Sequence, residues 1–195
     1  MVGIENRNSK LSLKISSNLS SINFKKGNSI LVNGVCLTCE SYISATKIFK
    51  TTVVSETLKR SNISHLKIND IVNIEPSLRL GNFLSGGLVS GHVDVCAIVT
   101  DSNSNYRISI PLDYLKYFPL KSSITINGVN LTVSYRSKNI IGVSLIPETI
   151  RATNLLNFKN GDMVNVEIDM IARYLDSLYE KTIKKSSLNY GIVVA

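Results

Sequence analysis

Short apolar runs separated by turn residues dominate most of the chain. Residues 29–32 and 35–39 flank Asn33-Gly34, and residues 124–126 and 129–133 flank Asn127-Gly128. Asn-Gly between apolar runs predicts a two-residue hairpin, because both central residues take positive φ. Residues 48–54 and 140–145 predict one further strand in each half. Residues 70–75 and 162–168 alternate apolar and polar positions and predict another. Shorter runs at 2–5 and 11–15, and at 95–100 and 107–110, complete the set. Beyond residue 169 the period changes. Ile171, Tyr174, Leu175, Leu178, Tyr179 and Thr182 recur at three- and four-residue spacing, with Arg173, Asp176, Glu180 and Lys181 on other faces. One amphipathic helix over about 170–185 is expected. Two roles are open to it: folding back on its own barrels, or assembly with other subunits.

The pattern is repeated. FKKGNSILVNGVCLT (24–38) aligns with FPLKSSITINGVNLT (118–132) at an offset of 94, and SETLKRSNISHLKINDIVNIE (55–75) aligns with PETIRATNLLNFKNGDMVNVE (147–167) at an offset of 92. Two blocks in the same order with a two-residue slip indicate an internal duplication. A repeat of several short strands fits a small closed barrel, which removes exposed sheet edges.

Composition narrows the function. The net charge is +8, but Lys and Arg are scattered, densest at Lys181, Lys184 and Lys185. No RNA-binding motif or Cys/His finger accompanies them, so nucleic acid is not an expected partner. No run of about 18 apolar residues is present, so no membrane partner is expected. No signal pattern opens the chain, so the cytoplasm is the expected location. Three cysteines (Cys36, Cys39, Cys96) do not make a disulfide framework, and two histidines (His65, His92) do not make a His-rich metal centre.

Side chains alternate faces along a strand. An inward apolar face of Val35, Leu37 and Cys39 leaves Cys36 and Thr38 pointing outward. In the second copy Val129, Leu131 and Val133 leave Asn130 and Thr132 outward. Cys36 and Cys39 therefore face opposite ways and do not form a redox or zinc pair. A role for Cys36 as only a small strand residue stays open. The junction Gly86–Asp94 carries three glycines, which allow close backbone approach, and His92, which can exchange protons near neutral pH. A purely local hydrogen-bonding role for His92 also stays open. The residues alone thus give a duplicated β-barrel with two related polar sites and no substrate.

Six motifs in register carry a resemblance. NGVCLT (33–38), VSETLKRSN (54–62), SGHVD (90–94), INGVNLTV (126–133), LIPETIRATNL (145–155) and VNVEID (164–169) together resemble the riboflavin synthase family over about residues 10–175. The resemblance implies an all-β fold of two tandem six-stranded Greek-key closed barrels, an internal repeat, followed by a C-terminal α-helix. The expected divisions are 1–90, a lumazine-binding barrel; 91–169, a second such barrel; and 170–195, a trimerisation helix and tail. It implies a four-carbon transfer between two 6,7-dimethyl-8-ribityllumazine molecules, giving riboflavin and 5-amino-6-ribitylamino-uracil without cofactor or metal. The site would lie between the N-terminal barrel of one subunit and the C-terminal barrel of a neighbour in a homotrimer. Lumazine synthase is a further partner it raises.

The resemblance places Cys36, Leu37 and Thr38, with the segment from Thr52 and Val53 to Thr57, at the N-terminal site. Gly91, His92 and Val93 are the inter-barrel segment. Lys121, Asn130, Leu131, Thr132 and the segment Ser144 to Thr149 belong to the C-terminal site, and Asp169 matches a polar residue of the active site. Catalytic roles fall to His92, Cys36, Asn130, Thr132 and Asp169. The lumazine 7-methyl protons are already acidic, so the enzyme has mainly to align two rings and shuttle protons.

The chain departs from the family pattern in three places. Asn130 stands where the family has Ser, and an amide does not relay a proton as a hydroxyl does. Leu88 stands where the family has a first junction histidine. Met1-Val2-Gly3-Ile4 resembles the family's opening, yet lies too close to NGVCLT. Val2–Glu5 fits better as the end of a first strand, so the first barrel is expected to carry an unpaired edge. The alternative function is a non-catalytic lumazine or flavin carrier on the same fold, like the antenna proteins of luminous bacteria. A purely structural repeat predicts no polar pair on both hairpins.

Overall fold

The computed structural model describes residues 3–7, 10–17, 24–76, 78, 81, 87–103 and 105–179. The first copy contributes β1 (Gly3–Arg7), β2 (Lys10–Ser16), β3 (Ser29–Val32), β4 (Val35–Thr38), β5 (Ser41–Ile43), β6 (Ile48–Val53) and β7 (Ile74–Pro76). The second contributes β8 (Val95–Asp101), β9 (Asn105–Ser109), β10 (Ser123–Ile126), β11 (Val129–Ser137), β12 (Ile140–Ser144) and β13 (Met163–Ile168). A C-terminal helix follows over residues 170–179, and the remainder of the helix expected to 185 lies outside the described residues. The architecture is the expected duplicated, Greek-key-ordered all-β fold with a C-terminal helix.

The second copy closes as a six-stranded barrel in the order β10-β11-β12-β9-β8-β13. In the first copy the equivalent positions form two sheets, β1-β2-β6-β5 and β4-β3-β7. On one seam between them the Glu40 N–H donates to the Lys50 carbonyl (2.8 Å) and the Thr51 hydroxyl to the Thr38 carbonyl (2.8 Å). On the other seam the copies differ. β13 pairs with β8 from Met163↔Ile98 to Val166↔Val95, whereas β1 pairs only with β2 among the described residues. The strand expected over 70–75 is accordingly shorter, Ile74–Pro76. Among the described residues no strand pairs with residues 70–73 as β8 pairs with β13, and Asn73 bonds instead to Asn33 of the turn.

Both Asn-Gly turns have the expected positive φ: Asn33 +46°, Gly34 +72°, Asn127 +48° and Gly128 +87°. Inward positions fill two separate cores. Leu13, Ile15, Ile30, Val32, Phe49 and Ile63 centre the first, and Phe24 stacks between Tyr42 (4.9 Å) and Phe49 (5.1 Å). Val99, Tyr106, Ile108, Phe118, Ile124, Ile126 and Ile141 centre the second. Two short helices also appear, α1 (Ser55–Arg60) and α2 (Pro147–Ala152), each with an acidic residue in its first turn and a basic one in its last. Those charges oppose the ends of the helix dipole.

The barrels are joined by six asparagines arranged about a pseudo-twofold axis. The Asn62 N–H donates to Asn165 Oδ1 (2.6 Å), and its counterpart Asn154 N–H donates to Asn73 Oδ1 (2.8 Å). Asn73 N–H donates to Asn33 Oδ1 (2.9 Å), and Asn165 N–H to Asn127 Oδ1 (2.8 Å). Across the axis, Asn73 Nδ2 donates to the Asn127 carbonyl (3.0 Å) and Asn165 Nδ2 to the Asn33 carbonyl (2.8 Å). The two turns lie back to back, and a methyl on Gly34 would stand 2.4 Å from the Gly128 nitrogen.

Asn165→Ala removes the acceptor for the buried Asn62 N–H and the donor to the buried Asn33 carbonyl. Two stranded buried groups cost about 3 kcal/mol together, which lowers Tm by roughly 6–12 °C in a chain of this size. Calorimetric unfolding checks this, and a fall under about 2 °C would show that the cross-axis amides do not hold the barrels together.

Candidate functional site

On β4 the alternation runs as expected: Val35, Leu37 and Cys39 are buried, Cys36 is half-buried and Thr38 is exposed. Leu37, assigned to the site by resemblance, has its side chain in the core. Beside β4 runs the end of β6, where Thr52 is half-buried and Val53 is buried. Val54 is 50% exposed, Ser55 and Glu56 are exposed and Thr57 is half-buried. Val53 is thus a core residue, and Val54 supplies the apolar surface of this segment.

The second copy offers the equivalent face. On β11 Asn130 and Leu131 are half-buried and Thr132 is exposed. Asn130 Oδ1 accepts from the Ser123 hydroxyl at 2.7 Å. Lys121 is exposed, with φ +69° and its N–H on the Val133 carbonyl (2.8 Å). At the end of β12, Ser144 is exposed and its hydroxyl donates to Ser134 Oγ (3.3 Å). Leu145 is buried, and Ile146, the counterpart of Val54, is 62% exposed. Pro147 and Glu148 are exposed and Thr149 is half-buried at the start of α2. Each copy therefore presents a hydroxyl-bearing strand face beside one exposed branched apolar side chain.

The junction reaches both faces. A Cβ on Gly87 would stand 2.0 Å from Asn130 Nδ2, and one on Gly91 would stand 2.7 Å from Cys36 Cβ. Gly91 also has φ +79°, and its carbonyl accepts the Cys36 N–H at 2.8 Å. Glycine is required at Gly91 by close approach to the Cys36 backbone and by backbone conformation, whereas at Gly87 a side chain would have to displace the Asn130 amide. Cys36 thereby lies against the residue that precedes His92, and Val93 packs against the first core.

Asp169 acts first as a helix cap. Its carboxylate accepts the Ile171 N–H (2.8 Å) and its carbonyl accepts the Arg173 N–H (3.1 Å). The same residue lines a groove of about 840 Å³ with Ser122, Ser123, Lys116, Tyr117 and the helix residues Ile171, Leu175 and Leu178. The helix docks on its own barrel by packing Ala172 on the second core and by polar contacts: Arg173 to Asp94 (2.6 Å), and Lys116 (2.6 Å) and Tyr117 (2.5 Å) to Asp176. Those two donors hold the Asp176 carboxyl below the usual carboxylate range. Ile171, Tyr174, Leu175, Leu178 and Tyr179 stay 61–68% exposed. A contiguous run of exposed large side chains marks an interaction surface.

Four residues behind His92 escaped the sequence reading. Glu167 is 3% exposed, and its carboxylate accepts the Ser90 N–H (2.8 Å), the Ser90 hydroxyl and the Gly91 N–H (3.0 Å). Asp94 accepts the Ile168 N–H (2.7 Å) and pairs with Arg173, which also donates to the His92 carbonyl (3.3 Å). The available signal was the polar pair Asn165 and Glu167 on a strand whose alternate residues are apolar, repeated as Asn73 and Glu75 in the first copy. Among the described residues no group of three His, Cys, Asp or Glu side chains converges to hold a metal, and no helix is long and apolar enough to cross a membrane.

Two back-to-back copies of one strand set, the second closed as a barrel, with equivalent polar faces define a duplicated lumazine-binding fold. The lumazine binding domain model matches residues 1–77 and 87–169. The chain is 40% identical to riboflavin synthase of Actinobacillus pleuropneumoniae over 160 residues, covering 80% of this chain and 74% of the relative. It is 36% identical to the Photobacterium leiognathi riboflavin synthase over 179 residues (88% and 80%), and 39% identical to that of Mycobacterium tuberculosis over 160 residues (78% and 79%). The chain belongs to the riboflavin synthase family. Among solved structures it resembles LumP complexed with riboflavin, with a TM-score of 0.76 and 23% identity over 86% of this chain and 92% of that one. LumP complexed with 6,7-dimethyl-8-(1′-D-ribityl) lumazine gives a TM-score of 0.72 at 24% identity, over 85% and 92%. At that identity LumP shares the fold.

Thiol labelling separates the three cysteines. Burial pushes the Cys96 thiol up to about 11 and raises that of the fully buried Cys39. At pH 8 a thiol of pKa about 11 is about one part in a thousand thiolate. Iodoacetamide at pH 8 is therefore expected to modify Cys36 first, as read by peptide mass spectrometry. Equal or faster modification of Cys96 would contradict the placement of these side chains.

Proposed function

We propose that this protein is a riboflavin synthase that converts two 6,7-dimethyl-8-ribityllumazine molecules into riboflavin and 5-amino-6-ribitylamino-uracil. The observation that carries this reading is the duplication of the candidate site with one chemical difference. A reaction consuming two copies of one molecule needs two similar places to hold them. Thr38 with Val54, and Thr132 with Ile146, supply hydroxyls and apolar contact at equivalent positions. Cys36 and His92 stand at one of them, where Asn130 stands at the other. The two ligands thus meet different groups, as donor and acceptor of a four-carbon unit must. Atoms balance with nothing added: what one ring loses the other gains. No cofactor is required by that balance.

In this reading the two faces align the rings, which supplies most of the acceleration, and His92 moves the 7-methyl proton. Thr38 and Thr132 bind polar atoms of the rings or ribityl chains. Asp169, held as a helix cap, contributes from the rim. The exposed apolar side of the helix is covered in a homotrimer, which sets the N-terminal face of one subunit against the C-terminal face of the next. A non-catalytic carrier is the second reading, and Asn130 favours it, because an amide replaces a proton-relaying hydroxyl. Retention of Cys36 beside His92 favours the enzyme.

Incubation of purified protein with 6,7-dimethyl-8-ribityllumazine decides between them: riboflavin absorbance should grow while lumazine falls two for one. Binding without turnover would establish the carrier. In the active protein His92→Ala should lower kcat by about 10²-fold, and Cys36→Ala should also slow turnover, with lumazine affinity retained in both. Turnover within about twofold for both, about 0.4 kcal/mol of barrier, would remove them from the mechanism.

Truncation after Asp169 should give monomers with little activity, since the paired site spans two subunits. Sedimentation showing the same assembly as the full chain would overturn the role given to the helix.

A further inference from the structure

We propose that Glu167 and Ser90 are positioning residues that fix His92 in the tautomer with the proton on Nδ1, leaving the Nε2 lone pair free to accept a proton. The proposal rests on the reading of His92 as the proton-transfer group and adds what sets its protonation geometry. Glu167 sits on β13 with its carboxylate buried against the junction. Oε1 accepts the Ser90 N–H at 2.8 Å and the Ser90 hydroxyl at 2.5 Å, and Oε2 accepts the Gly91 N–H at 3.0 Å. A carboxylate only accepts hydrogen bonds, and a serine hydroxyl has one proton to give. With that proton committed to Glu167, Ser90 Oγ can only accept from its other neighbour. That neighbour is His92 Nδ1, at 3.0 Å. The imidazole must then donate from Nδ1, and in the neutral ring the lone pair falls to Nε2.

The reverse arrangement, with the Ser90 hydroxyl donating to His92, would set oxygen lone pairs against a buried carboxylate and leave Oε1 one donor short. Unmet buried acceptors are costly. The backbone on either side is also held. Gly91 accepts from Cys36, Asp94 N–H donates to the Val166 carbonyl (3.0 Å), and Arg173 reaches both Asp94 and the His92 carbonyl. The neutral imidazole therefore has one tautomer, Nδ1–H, that keeps its bond to Ser90 together with all three partners of the Glu167 carboxylate.

The test is ¹⁵N NMR of the full chain labelled at histidine. Only His65 and His92 contribute, and His65→Gln assigns them. Wild-type His92 should show the Nδ1–H pattern. Ser90→Ala, which leaves both backbone N–H donors on Glu167, should release it toward the Nε2–H form. The same variant should lower kcat about tenfold with KM unchanged, and Ser90→Thr, which restores the hydroxyl, should recover both. A wild-type Nε2–H tautomer, a tautomer indifferent to Ser90→Ala, or an unchanged kcat in that variant would each overturn the proposal. If the wild type makes no riboflavin, the catalytic reading fails separately, because the tautomer measurement needs no turnover.

Discussion

Burial of amide groups at the axis between the barrels is the constraint on which the rest of the structure depends. Asn33, Asn62, Asn127, Asn154 and Asn165 are almost fully buried, and each carries donors and acceptors that must be met inside the protein. Most of them meet one another in reciprocal pairs, as at a twofold interface between identical subunits, while Asn33 Nδ2, Asn127 Nδ2, Asn62 Oδ1 and Asn154 Oδ1 find no partner among the described residues. Apolar surface alone would let two barrels slide or rotate. A network in which the Asn62 N–H reaches only Asn165, and the Asn154 N–H only Asn73, accepts one register. Gly34 and Gly128 then bring the turns closer than a side chain at either position would allow. Both hairpins leave the same axis, and their outward residues are fixed relative to each other.

That symmetry stops where the chemistry begins. β4 and β11 are equivalent strands, and Thr38 and Thr132 are equivalent residues, yet Cys36 faces Asn130 across the duplication. The junction adds a second asymmetry, because one chain has one such segment. Its Gly91 is laid on Cys36 and its Gly87 on Asn130, so only the first face receives the histidine that follows Gly91. Duplication supplies two similar surfaces; a single connecting segment makes them unequal.

Much of this was legible from the residues. Asn-Gly between apolar runs gave both hairpins with their positive φ angles, and the alternation along 35–39 placed Cys36 outward and Cys39 inward. The strand expected over 70–75 is too long because its own residues carry the right alternation, while no strand pairs with 70–73 among the described residues. The helices over SETLKR and PETIRA were overlooked, although PETIRA opens with Pro at the first turn, a placement the backbone favours. Val53 and Leu37 were assigned to the site by resemblance, and their side chains belong to the core. Glu167 was hidden for the opposite reason. A charged residue on the outward face of a strand reads as solvated, and only the fold shows that the junction covers it. Asp169 reads as part of a site, and only the helix start reveals it as a cap.

The C-terminal helix connects assembly to the same junction. Its anchor on the barrel is polar: Arg173 on Asp94, and Asp176 under Lys116 and Tyr117. Exposed ion pairs are weak, being screened by solvent, so these contacts orient the helix more than they hold it. The opposite side carries Ile171, Tyr174, Leu175, Leu178 and Tyr179, and full burial of a large apolar side chain contributes about 1.5–3 kcal/mol. Arg173 bonds at once to Asp94 and to the His92 carbonyl, and Asp94 in turn receives the Ile168 N–H beside the cap at Asp169. Whatever covers the apolar side of the helix therefore also determines how firmly the backbone of His92 is held.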